Sequence, residues 1–351
     1  MINTVSTIKT GDKKKTTLEM LPSDMIGVIC EYLYIKEKNI LLSLSKSLRI
    51  ERQEYRYLNL SREYSLRFYE NKMFREIINS LVVYPSKQLS LNLSNTSVSD
   101  VDALGNVHTL DLSNTLVSDV SALGNVHTLD LSNTFVNDVS ALGKVHTLNL
   151  RYNNLIYDVS ALGNVHSLDL KHCTHINNVS ALGNVHKLNL GYTSVEDASA
   201  LGNVHTLNLE YTDVVDVSAL GNVHSLNLRY TYVVDISALG NVHTLDLGYT
   251  YIASANVLGN VHTLNLAYCK SIVDASALKN ANTLNLAGTS VSDVSALGNV
   301  HTLNLSYTSV DDVSALGNVH TLNLGYCKSV VDVSALRNVH TLNLKGTSVV
   351  L

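Results

Sequence analysis

The segment Val107-His108-Thr109-Leu110-Asp111-Leu112-Ser113-Asn114-Thr115 recurs with small changes down most of the chain. The first leucine of its Leu-x-Leu core stands at 91, 110, 129, 148, 168, 188, 207, 226, 245, 264, 284, 303, 322 and 342, which makes fourteen units with steps of 19 or 20 residues. A period this short leaves few folds open. One unit cannot bury its own leucines, so it must stack on copies of itself, and the result is a solenoid. The longer steps follow the units that contain Asn153, Cys173, Cys269 and Cys327, where one extra residue enters before the next aliphatic.

Each unit reads in two halves. Thr109-Leu110-Asp111-Leu112-Ser113 alternates polar and apolar residues, the period of a half-buried strand, with Leu110 and Leu112 inward. Val117, Val120 and Leu123 follow at intervals of three, which suits one tight helical or 3₁₀ turn. Asp119 is placed to cap that turn, and Gly124-Asn125 to end it. Stacking then buries Val107, Leu110, Leu112, Val117, Val120 and Leu123 against their copies. Strands about 4.8 Å apart would form one continuous parallel sheet, a rod on the order of 65 Å long. The position of Thr115 holds Thr in most units, Cys173, Cys269 and Cys327 in three, and Asn153 in one. A small buried polar group there is expected to bond the backbone of the neighbouring loop.

The pattern Leu-x-Leu-x-x-(Thr/Cys/Asn) over residues 87–351 resembles the leucine-rich-repeat superfamily. The resemblance implies an α/β solenoid with a parallel sheet on one side, short or 3₁₀ turns on the convex side, and a role in binding macromolecules. The short period predicts weak curvature. The chain closes on Thr347-Ser348-Val349-Val350-Leu351 with no polar capping unit, so fraying or self-association through that end is expected.

The first residues differ. Residues 1–17 are polar, carry Lys13, Lys14 and Lys15, and read as a disordered tail without the apolar core of a signal peptide. Apolar residues at 25, 26, 29, 30 and 33 make a helical stripe after Leu21-Pro22, and a second apolar stretch covers Ile40 to Leu48. This order, Leu21-Pro22, Ile29, Leu33 and then a Leu-rich helix with Leu41 and Leu44, resembles the F-box over residues 18–50. The resemblance implies that Leu21, Pro22, Ile29, Leu33, Leu41 and Leu44 face a Skp1-like adaptor of a cullin-based ubiquitin ligase, or support that face. The usual aromatic near the motif's end is absent, and Leu48 lies in that region. The alternative is a plain helical cap. Residues 51–86, helix-like from Tyr64 to Leu81 and ended by Tyr84-Pro85-Ser86, are expected to link the helices to the repeats and cover their first edge.

Charge narrows the partners. Fourteen basic and ten acidic residues precede Lys87, and eleven basic and twenty acidic lie from there on, so the formal −5 divides into about +4 and −9. An acidic solenoid argues against nucleic acid as the main ligand. No run of eighteen apolar residues occurs, so no membrane span is expected. Four widely spaced cysteines fit no disulfide or zinc framework and suit a reducing cytoplasm. Low Pro with abundant Asn and Tyr suits an AT-rich genome, such as that of a protist or a large virus of protists, in which case the compartment would be the host cytoplasm.

Two columns invite chemistry. Histidines 108, 127, 146, 166, 186, 205, 224, 243, 262, 301, 320 and 340 precede the strands in register, broken at Leu89 and Asn282. A metal site needs ligands that converge, so a row reads better as neutral imidazoles that charge, and loosen the solenoid, near pH 5. Ser, His and Asp recur in nearly every unit, but catalysis needs one unique pocket, so no enzyme and no cofactor is expected. The outward strand face is the expected binding surface. Its middle position is always Asn or Asp; the next carries Arg151, Lys171, Glu210 and Arg229 among small residues. Then come Tyr152, Tyr192, Tyr211, Tyr230, Tyr249, Tyr268, Tyr307 and Tyr326. Tyrosine offers area and a polar tip to a partner, or the rings stack on one another. The function expected from all this is a substrate receptor of a Skp1-cullin-F-box ubiquitin ligase whose repeats capture a target protein. The second reading is a protein-interaction scaffold or decoy with no ligase.

Overall fold

The computed structural model describes residues 57–82 and 88–349. The tail, the F-box-like segment with Leu21, Pro22, Ile29, Leu33, Leu41 and Leu44, and the expected helix end at Tyr84-Pro85-Ser86 lie outside the described residues. The chain forms two compact units, Met1–Asn92 and Leu93–Leu351.

In the first unit, strand β1 (Tyr57–Asn59) is followed by helices α1 (Arg62–Glu70) and α2 (Lys72–Val82) and by strand β2 (Gln88–Asn92). The helical reading of residues 51–86 therefore needs two corrections. Tyr57–Asn59 is a strand, paired in parallel with β2 so that Leu58 lies opposite Leu89. The leucines at 58 and 60 alternate like those at 89 and 91, and this period of two fits a ladder better than a helix. The helix expected from Tyr64 to Leu81 is also broken in two at Asn71. The Asn71 N–H donates to the Arg67 carbonyl at 2.9 Å and closes α1, while its side-chain Oδ1 accepts the Phe74 N–H at 3.0 Å and starts α2. Tyr64, Phe68, Phe74 and Ile78 form the small core between the two helices.

The second unit holds thirteen parallel strands, β3 (Thr109–Asp111) to β15 (Thr341–Asn343), paired in chain order. Equivalent residues face each other without slippage, Leu110 opposite Leu129 and Leu264 opposite Leu284, even where the intervening unit is one residue longer. The ladder continues past the strand, since Leu112 N–H donates to Asp130 C=O at 2.8 Å. Strands β3 to β14 each return through a 3₁₀ turn, such as Ser121–Leu123, as the three-residue spacing predicts. The aliphatics expected inside are there: Val107, Leu110, Leu112, Val117, Val120 and Leu123 are all buried. Each contributes roughly 1.5–3 kcal/mol of burial. Asp119 accepts the Ser121 N–H at 2.9 Å, and this backbone bond holds its carboxyl below the usual aspartate value.

Two roles differ from expectation. Gly124 has an ordinary right-handed backbone (φ −59) and so is not chosen for turn conformation. A Cβ there would lie 2.5 Å from the Ala141 carbonyl oxygen, so glycine serves the close approach of successive turns, although Lys279 holds the equivalent place in its unit. The inner threonines do not bond the backbone of the neighbouring loop either. Thr115 donates to the Leu112 carbonyl of its own unit at 2.6 Å. Only the longer or softer groups reach back: Asn153 Nδ2 to Leu131 O at 2.8 Å and Cys173 Sγ to Leu150 O at 3.0 Å. Burial pushes the Cys173 thiol up to about 12.

Candidate functional site

The candidate site is the strand face and the column beside it. The Asn/Asp position forms a ladder. Asp130 Oδ1 accepts the Ser132 N–H at 2.8 Å, while its Oδ2 accepts Asn149 Nδ2 at 2.9 Å from the next rung. Asn208 Nδ2 repeats the reach to Asn189 Oδ1 at 2.9 Å. These bonds pin the loop that follows each strand.

That loop puts one residue per unit into the left-handed region. The fourteen residues are Asn95, Asn114, Asn133, Tyr152, His172, Tyr192, Tyr211, Tyr230, Tyr249, Tyr268, Gly288, Tyr307, Tyr326 and Gly346, with φ from 53 to 73. All eight tyrosines singled out from the sequence lie in this column, each of them in a backbone state that suits Asn or Gly better. An aromatic residue there costs of order 1–3 kcal/mol. Ring stacking, worth about 0.5–1.5 kcal/mol per pair, offsets part of it.

The rings do stack. Tyr152, His172, Tyr192, Tyr211, Tyr230, Tyr249 and Tyr268 form one continuous pile with centroids 4.2–4.6 Å apart. Tyr307 and Tyr326 form a separate pair at 4.7 Å, beyond Gly288. His172 belongs to this pile and not to the histidine row; sequence reading passed over it, although its place two residues after Asp-Leu in the unit marks it.

The charged neighbours lie on the same ridge. Arg229 stands over Tyr230 at 5.0 Å and Tyr249 at 4.7 Å from the ring centroids, and Lys171 over Tyr192 at 5.0 Å. Arg151 lies 5.6 Å from the Tyr152 ring centroid. Lys171 Nζ also meets Glu210 at 3.5 Å, across the intervening Gly191 rung. A side-chain hydrogen bond from Arg229 holds the Tyr230 phenol below its ordinary value. Face, charge and polar tips are thus fixed in one row about seven rungs long.

The histidines form a second row. Rings 108 to 262 stack without interruption at 4.5–4.7 Å, Asn282 intervenes, and 301, 320 and 340 stack at 4.6–4.8 Å. His108 Nδ1 lies 3.1 Å from Thr109 Oγ1, and the same contact recurs at His127 and His301. Burial, then the neighbouring imidazoles, keep His186 and His243 below the usual histidine value. Among the described residues no group of three or more His, Cys, Asp or Glu converges as a metal site would, and no helix is long and apolar enough to cross a membrane.

The structure also exposes apolar side chains that sequence reading missed. Leu116, Phe135, Leu155 and Tyr157 stand out in the early units, and Tyr232, Val234 and Tyr251 further on. Their positions are mostly Ser, Asp or Asn in the other units, which is the signal that could have found them.

Parallel strands in unbroken order, an aliphatic interior repeated every 19 or 20 residues and a 3₁₀ turn per unit define a leucine-rich-repeat solenoid. Solved structures agree on the fold. The chain is similar to the internalin InlF of Listeria monocytogenes (20% identity, TM-score 0.56, 76% of this chain and 82% of that one). It is also similar to the functional domain of InlJ from the same organism (17% identity, TM-score 0.61, 77% and 68%). No described protein family and no curated protein matches the sequence.

Proposed function

We propose that this chain is a protein-interaction scaffold whose partner lies along the tyrosine column and the charged positions beside it. The observation that carries the reading is the cost of the column. Eight tyrosines occupy left-handed positions that asparagine fills in three other units and glycine in two. Folding alone does not require rings there, whereas binding rewards a rigid row of large amphipathic side chains. Arg151, Lys171, Glu210 and Arg229 supply the uneven charge by which a monotonous surface distinguishes partners. The repeated geometry offers no unique catalytic pocket, and the solenoid's charge disfavours nucleic acid.

The test replaces Tyr211, Tyr230 and Tyr249 with asparagine, the residue that units one to three already carry there. The expected outcome is an unchanged circular-dichroism spectrum with partner capture weakened by about a hundredfold or more, as for loss of hot-spot residues. Capture at full strength would remove the site.

The Leu21-Pro22, Ile29, Leu33 pattern favours a second, finer reading: the scaffold is the substrate receptor of a Skp1-cullin-F-box ligase in the cytoplasm. Purified Skp1 should then bind the full chain, and Leu21→Ala with Pro22→Ala should abolish it. No binding by the wild type leaves the scaffold reading alone in place.

A further inference from the structure

One unit departs from the others on both rows at once. Asn282 interrupts the histidines and Gly288 the aromatic pile. At Gly288 the ring of Tyr268 lies against the glycine, and a Cβ there would be 2.7 Å from its Cδ1. On the far side stands Tyr307, which is stacked only on Tyr326. Its other face is uncovered, and at 54% it is the most exposed tyrosine of the column, against 37% for Tyr326. Tyr268 and Tyr307 are two rungs apart, roughly 9.5 Å at ordinary strand spacing. Neighbouring rings of the pile are 4.2–4.7 Å apart. Two rungs correspond to two stacking steps, so once the Tyr268 ring swings back off Gly288, one planar ring over that glycine meets a tyrosine on each side.

We propose that this gap is a slot for one aromatic side chain of a partner protein, inserted between Tyr268 and Tyr307 over the bare backbone of Gly288. The inference rests on the partner-binding reading of the column and locates its anchor. The slot's flank is small and buried, with Ala287 and Ser306 on the adjoining positions. Asn285 and Asn304 use Oδ1 to accept the N–H groups of Ala287 and Ser306, both at 3.1 Å, which leaves each Nδ2 to offer to a carbonyl of the incoming segment. No charged residue occupies the variable position from Gly248 to Gly325, and the surrounding solenoid is acidic. A phosphate-bearing base is therefore a poorer occupant than the side chain of a protein.

The chain contains no Trp, so a tryptophan probe reports alone. Acetyl-Gly-Trp-Gly-amide titrated into the full chain should show a saturable change in emission. Gly288→Tyr, whose Cβ displaces the Tyr268 ring and whose own ring fills the slot as eight sibling positions do, should weaken it roughly tenfold or more. Tyr307→Asn keeps the glycine, removes one wall and should act alike, which covers the case in which Gly288→Tyr fails to fold. Tyr211→Asn with Tyr230→Asn, which leaves Tyr249 stacked on Tyr268, should leave the titration unchanged, so failure of the slot and failure of the wider column are separable. Equal binding by wild type and both slot variants, no saturable signal in the wild type, or an equal response to adenosine monophosphate would each overturn the proposal.

Discussion

Leu228→Ala should lower the stability of the solenoid by about 2–5 kcal/mol, the range for a buried leucine whose site cannot collapse. Leu344→Ala, the same change at the same position of the last described unit, should cost markedly less. Leu228 is fully buried, with leucine copies on the rungs before and after it. Leu344 is half-buried, because no described rung follows it. The removed atoms are identical, so the difference measures what stacking adds. Rungs locked by backbone ladders above and below relax little around a lost side chain. Urea titration followed by circular dichroism measures both. Equal losses at 228 and 344 would mean that a unit is stable without its neighbours, and the solenoid account of the energetics would fail.

Acidification from pH 7.5 to 5 should lower the melting temperature, and replacing His127, His186 and His243 with asparagine should flatten that dependence. Burial and neighbouring imidazoles lower the folded-state values of His108, His127, His186 and His243 below 6.5. The unfolded chain therefore takes up protons first as the pH falls. Stability is at its full value above about 6.5 and is lost between there and the lowered folded values. Other groups do not confuse this window. The turn aspartates such as Asp119 and Asp216 are shifted below 3.8, so their contribution is lost only in stronger acid. The neighbouring Lys187 charge adds to the repulsion at His186. Asparagine is a fair substitute because Asn282 already holds the column: its N–H donates to His262 C=O at 2.9 Å and its C=O accepts from His301 at 3.1 Å. A melting temperature that does not move with pH in the wild type, or that moves equally in the triple variant, would exclude the row as its source.

The solenoid was legible in the sequence because its cause is local and repeated. Period two at Leu110 and Leu112 and period three at Val117, Val120 and Leu123 each state which way a side chain must face, and the 19-residue return states what it meets. The first unit was less legible. Leu58 belongs to a strand only because β2 lies beside it, and Asn71 divides a helix whose apolar period runs on through it. The tyrosines could be named from their column, but not their backbone state. That state follows from the Asn/Asp side chain that ties down the loop at every rung, and it is why asparagine, glycine and tyrosine exchange there.

The sequence by itself determined the repeat, the inward aliphatics, the turn caps and the identity of both side-chain rows. Only the tertiary structure decided that seven rings make one pile, that Gly288 parts it, and that the turn glycines serve close approach instead of conformation. The physical reason is distance along the chain. A residue's facing is set by neighbours one to four positions away, whereas ring contact and backbone approach join residues 19 or 20 apart and exist only once the rungs are aligned.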